Sequence, residues 1–275
     1  MTARRILAIA AAEAAILRRN RWFAVTTAVM VLFALALSLA GSAPTGQVGV
    51  DMLTVSVASM TTLSVYLVPL LALLVAFDAV AGERERGTLA LLLSYPVGRG
   101  EVLLGKGIAQ LGALALACVI GFGAAGVLAA ALGGVSAASL AALARLIATS
   151  VLLGAVFLGL GHLVSARAAG PASAAGLAAA LWLVFVVLYD LALLGAVVLD
   201  GDGGFTRHVF PWLMTANPAD AFRVWNIAGS ETVAIAGGMA GVATGLPPWA
   251  APASLLGWPV LAYLAARAAF RRIEP

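Results

Sequence analysis

The apolar positions of this chain neither alternate as in strands nor keep to one narrow helical stripe. They come in runs long enough to fill whole helices. A helix needs about 20 apolar residues to cross the hydrocarbon core of a bilayer. Such runs occupy 22–40, 55–77, 107–132, 140–164, 172–199 and, interrupted by Pro252 and Pro259, 250–270. Six membrane spans are therefore predicted, with a kink at Pro69 of the kind that membrane helices accommodate. The first run follows Arg18, Arg19 and Arg21 and ends in the small residues Gly41, Ser42 and Ala43, as a cleavable signal would. It is too long for a signal core and Pro44 would follow the cut, so a retained anchor is expected. A further run at 232–246, "TVAIAGGMAGVATGL", is short and Gly-rich and is closed by Pro247 and Pro248. It is expected to be re-entrant or interfacial rather than a seventh span.

Composition agrees. Of 275 residues 63% are apolar and 10% charged, with a mean hydropathy of +1.07. Soluble domains carry about 25% charged residues, so too little polar material exists to cover a soluble globule. The net charge of +4 invites a nucleic-acid reading, but its placement favours loops facing anionic lipid. The segments 1–21, 78–106, 165–171 and 267–275 hold five, four, one and three Lys or Arg, thirteen of the sixteen. Arg145, Arg207 and Arg223 fall on the other side. The positive-inside rule puts both termini in the cytoplasm. The single cysteine, Cys118, lies in an apolar run, which excludes an internal disulfide or a paired-cysteine site.

Between the second and third runs lies "GERERGTLALLLSYPVGRGEVLLGK", residues 82–106, with four of the sixteen Lys+Arg and three of the twelve Asp+Glu. Its Leu-rich part, 87–96, is too short to cross anything. Gly87 and Thr88 open it, with Glu83 and Glu85 just upstream, and Pro96 stops it. A short helix at the membrane surface is predicted. It is either a lipid-facing turn anchored by Leu89, Leu91, Leu92 and Leu93, or a rigid knob that fits the groove of a soluble partner. "LLGKG" at 103–107 lacks the upstream glycine and the hydroxyl that a phosphate-cradling loop needs. Any nucleotide energy must reach this chain by contact.

Glu83, Glu85, Gly87, Thr88, Leu89, Leu92, Leu93, Ser94, Pro96 and Arg99, followed by Gly105 and Lys106 before a span, form a pattern that resembles the permeases of six-helix, type-2 ABC transporters. The N-terminal "AAEAAILRRNRW" resembles their amphipathic helix before the first span, here 3–19. "GSAPTGQVGV", "TANPADAFRVWNIAGSE" and "VPLLALLVAFDAVAGE" narrow the likeness to members that serve copper maturation of nitrous oxide reductase. The resemblance covers essentially the whole chain. It implies an all-α integral membrane fold in one domain, 1–275, of a bacterial inner membrane, with an outer segment at 200–249. It also implies a homodimer of permeases, separate cytoplasmic ATPases and a periplasmic β-helical protein supplied with copper by a lipoprotein chaperone. ATP and Mg would belong to the ATPase, with no cofactor on this chain. The helix at 87–96 would be the coupling helix, with the ten residues from Glu83 to Arg99 as its ATPase contacts.

Other residues stay open to two readings. Asp190 lies in the fifth run, where carboxylates are functional candidates. At 1.5 Å per residue it sits about 9 Å from the outer face, within reach of water or a neighbouring donor. Trp212, Trp225 and Arg223 stand among aromatic residues of the outer segment, either as an interfacial belt or as a face for a periplasmic protein. Copper ligation through His162, His208 and Met214 is not expected, since the methionines show no repeated spacing. Glycines at 121, 123 and 126 and at 154, 159 and 161 predict close helix packing. Other functions carried forward are an ABC exporter of lipid, peptide or drug, a proton-driven transporter using Asp190, and a passive scaffold.

Overall fold

The predicted runs are helical. The computed structural model describes residues 2–19, 21–40, 51–133, 135–201, 203–228 and 246–273, and their regular structure is entirely helical. In chain order the helices are α1 (Thr2–Arg19), α2 (Arg21–Ala40), α3 (Met52–Ala76), α4 (Asp78–Glu85), α5 (Thr88–Ser94), α6 (Arg99–Gly133), α7 (Ala137–Arg167), α8 (Pro171–Leu183), α9 (Tyr189–Leu199), α10 (Gly204–His208), α11 (Phe210–Ala216), α12 (Pro218–Ala228) and α13 (Ala250–Arg271). A π-helical turn, Val184–Leu188, joins α8 to α9. The runs at 41–50 and, apart from Leu246, at 232–246 lie outside the described residues.

Among the described residues, five units are long and apolar enough to cross a membrane: Met52–Glu85, Arg99–Gly133, Ala137–Arg167, Pro171–Leu199 and Ala250–Arg271. The remaining predicted span coincides with α2, of 20 residues. α3 continues through Pro69, as membrane helices allow, and a break follows at Phe77, where α4 begins. α6 starts well before the predicted span, because its polar first turns at Arg99–Lys106 are helical too.

α7 is the central element and packs against α3, α6, α13, α12, α4 and α8. Close approach is achieved where glycine replaces a side chain. A Cβ on Gly159 would stand 2.8 Å from the Ala262 Cβ and 3.3 Å from the Tyr263 backbone nitrogen, so α13 can sit here only against a bare backbone. Gly161 faces α3 in the same way. Gly123, expected to do likewise, faces open space. Phe157, Phe185 and Trp258 stack edge to face at 6.1 and 5.7 Å, tying α7, the π turn and α13 together.

The two ends differ in chemistry. At one end, here the basic end, α1, α4, α5 and the last turns of α7 and α13 gather around Val80, Leu89, Val102, Leu103 and Phe270. At the opposite end Asp51 caps α3, accepting from the Thr54 amide at 2.8 Å, and also accepts from the Ser136 amide at the start of α7 at 3.0 Å. Burial alone would raise the Asp51 pKa, but these donors outweigh it and bring it down to about 2. Burial is uneven along the spans. Over its most apolar stretch, Met52–Glu85 is 56% buried within the chain and Pro171–Leu199 only 11%.

Candidate functional site

The predicted surface helix exists as α5, and its setting explains its shape. Gly87 holds φ +72° and ψ 0°, a left-handed turn that side-chain-bearing residues rarely adopt, and this turn swings the chain out of α4. The Thr88 hydroxyl donates back to the Glu83 carbonyl at 3.2 Å, and Ser94 donates to the Leu91 carbonyl at 2.8 Å. Tyr95 is extended, as the residue before Pro96 must be.

The leucines divide by face. Leu89 is buried, and Leu92 and Leu93 are half-buried, against Val80, Val102 and Phe270. They hold α5 down. Leu91 and Tyr95 point away, 68% and 66% exposed, together with Glu85, Thr88, Ser94 and Pro96. Of the ten residues expected to form the contact, three leucines thus anchor the helix from beneath. Leu91, read from sequence only as an anchor, and Tyr95, not singled out at all, are its exposed large side chains. Arg99 also turns inward. Its Nη1 donates to the carbonyls of Phe270, Arg271 and Ile273 at 3.1, 2.8 and 2.6 Å, capping α13.

Glu83 belongs to an ion cluster beneath α5. The Lys106 ammonium lies 2.7 Å from Glu83 Oε1 and 3.0 Å from Glu13 Oε2. Gln110 donates to Glu13 at 3.3 Å, and its carbonyl oxygen meets the buried His162 Nε2 at 2.8 Å. The chain of contacts thus runs through α1, α4, α6 and α7. Gly105 makes it possible. A Cβ there would stand 2.7 Å from the Ile9 side chain and 3.0 Å from the Ile6 carbonyl oxygen, so α1 lies directly on the α6 backbone.

The opposite end holds a second cluster. Arg223 Nη2 lies 3.1 Å from Asp190 and its Nη1 2.9 Å from Asp220. Burial, then the nearby Asp190 carboxylate, push the Asp220 pKa up. Asn217 donates to Asp220 at 3.1 Å and to the Phe185 carbonyl of the π turn at 2.7 Å. Asn226 donates to Thr149 at 2.8 Å, fixing α12 on α7. Arg223 is therefore an internal tie. Trp225 is half-buried against Leu193 and Met214, while Trp212 is exposed and 6.3 Å from Trp249. His208 is exposed and its Nδ1 meets the Gly204 carbonyl, whereas Met214 is buried.

Residues 7–274 match the sequence model of the ABC-2 family transporter proteins. The chain belongs to that family. It is 43% identical over 258 residues to a protein of Pseudomonas aeruginosa named "Probable ABC transporter permease protein NosY", covering 92% of this chain and 93% of the relative. A protein of the same name from Stutzerimonas stutzeri is 41% identical over the same shares. The chain is thus a multi-pass ABC permease, a membrane component rather than a catalytic enzyme, and such a permease implies an ATPase partner.

Proposed function

We propose that this permease transmits ATP-driven motion from cytoplasmic ATPase subunits to a periplasmic partner, in the service of copper-site maturation of nitrous oxide reductase. In this reading α5 is the coupling helix, the basic end and both termini are cytoplasmic, and α2 completes six spans. The partners are a NosF-like ATPase, which holds ATP and Mg, and a NosD-like β-helical protein fed by a copper chaperone. A second copy of the permease completes the assembly, and the low burial of Pro171–Leu199 leaves a span with apolar surface to offer it.

The build of α5 carries the reading. A short helix set on a left-handed glycine, fastened from below by Leu89 and Arg99 and presenting Leu91 and Tyr95, has the form of a rigid plug for a groove. The copper-maturation part rests on the likeness to the two permeases named NosY. The passage of cargo is not required: the ion clusters tie helices together, and Asp190 is occupied by Arg223 rather than poised as a lone proton carrier.

The test is co-purification of this permease with its ATPase and β-helical partners, wild type against a Leu91→Asp, Tyr95→Asp variant. Both positions are exposed, so the change spares the bundle, whereas charge at Leu92 or Leu93 would be driven into its packing. Loss of the ATPase with retention of the periplasmic protein is expected. An ATPase that stays bound with unchanged turnover would mean that α5 is only a lipid-facing turn.

A further inference from the structure

Where the ends of α4, α7 and α13 meet, at the basic end, a cleft of about 400 Å³ opens. Arg84, Arg167 and Arg272 line it, and none of its described lining residues is acidic. Arg84 is fixed in place, its Nη2 donating to the carbonyls of Ala168 and, at 2.8 Å, Ala169. Arg167 and Arg272 are exposed, while Ala269 and Ile273 form a buried apolar floor. Three guanidinium groups sharing one cleft repel one another, and an anion among them reverses the sign of that interaction. The planar fork of arginine suits a phosphate in particular.

A second observation selects the kind of phosphate. On α13, Leu261, Leu264, Ala268 and Arg272 follow one another at helical spacing and share one face. Leu261 and Leu264 are 61% and 50% exposed. An apolar strip therefore leads from the cleft along the span. A free anion makes no use of that strip, but an acyl chain does.

We propose that this cleft binds the phosphate headgroup of an anionic phospholipid, with a chain lying along Leu261 and Leu264. The proposal rests on the reading that the basic end faces the cytoplasm, where basic pockets between spanning helices meet anionic headgroups. It gives the C-terminal turn of α13 a binding task in addition to its packing against α5.

The test uses the full chain purified in detergent and native mass spectrometry with phosphatidylglycerol, phosphatidylcholine or inorganic phosphate. An Arg167→Gln, Arg272→Gln variant empties the cleft of two charges and leaves Arg84 on the end of α7. An Arg4→Gln, Arg5→Gln variant removes two exposed charges of α1 as a control. Phosphatidylglycerol should bind wild type and control alike and the cleft variant about thirtyfold more weakly, as two surface cations would dictate. Undiminished binding by the cleft variant overturns the proposal, as does equal retention of phosphatidylcholine. Binding of inorganic phosphate without phosphatidylglycerol overturns the lipid assignment. If the cleft variant keeps phosphatidylglycerol but, when put through the co-purification described above, loses the ATPase, the cleft belongs to the protein partner. The Leu91 and Tyr95 experiment reports on coupling separately, since the lipid titration contains no ATPase.

Discussion

Each end of the bundle sets one cation between two carboxylates, yet the two arrangements do different things. At the basic end Lys106 gathers Glu13 and Glu83 from α1 and α4, which both border the apolar cluster around Val80 and Leu103. At the opposite end Arg223 joins Asp190 and Asp220 within α9 and α12, which already share the apolar cluster around Leu193 and Val224. A compact ammonium with rotatable donors tolerates relative movement of its partners, whereas a planar fork fixes their directions. On that ground the first works as a joint and the second as a brace. Burial follows suit: the most enclosed member is the cation in the first, Lys106, and a carboxylate in the second, Asp220.

Three substitutions probe that contrast. Lys106→Met leaves Glu13 and Glu83 facing each other without a cation, and loss of one partner from a buried ion group costs about 3 kcal/mol. A large fall in Tm in detergent is expected, with most of it restored when Glu13→Gln and Glu83→Gln are added. An unchanged Tm would mean that α1 is held by apolar packing alone. Arg223→Lys keeps the charge and loses the fork, so one charge-assisted hydrogen bond, about 1.5 kcal/mol, should go. Lys106→Arg should lose less if tolerance of movement is what matters at the joint, and the pair of Tm values decides this.

The smallest effect is expected at Asp51, a carboxylate held by hydrogen-bond donors and in no ion pair among the described residues. Its pKa is lowered from an ordinary 3.8 to about 2, so its contribution is complete above about pH 4 and disappears as pH falls through 2. The Tm difference between wild type and Asp51→Asn should therefore shrink over that window. A difference that persists unchanged at pH 2 would show that its charge plays no part.

The apolar runs were legible because a membrane span is a matter of length and composition, and α5 was legible because Gly87 and Pro96 bound it. The facing of α5 was not. Four leucines in a seven-residue helix carry no polar face to mark which side turns inward, and only packing against Phe270 and Val102 decides it. The pairing of Lys106 with Glu13 spans most of α1 to α6 in sequence and has no local signal. Arg223 and Asp190 were each conspicuous alone, one as a docking residue and one as a buried charge. Their contact across a helix boundary turned two separate candidates into one tie.

The unit Met52–Glu85 runs 34 residues with its only interruption at Phe77, about 50 Å at 1.5 Å per residue. Its far end is pinned at Asp51, which also grips the start of α7, and its near end carries α5. The geometry is that of an oar in a rowlock. A tilt of about 6° about the pinned end sweeps the blade through about 5 Å, a whole helical turn, without stretching a single backbone hydrogen bond.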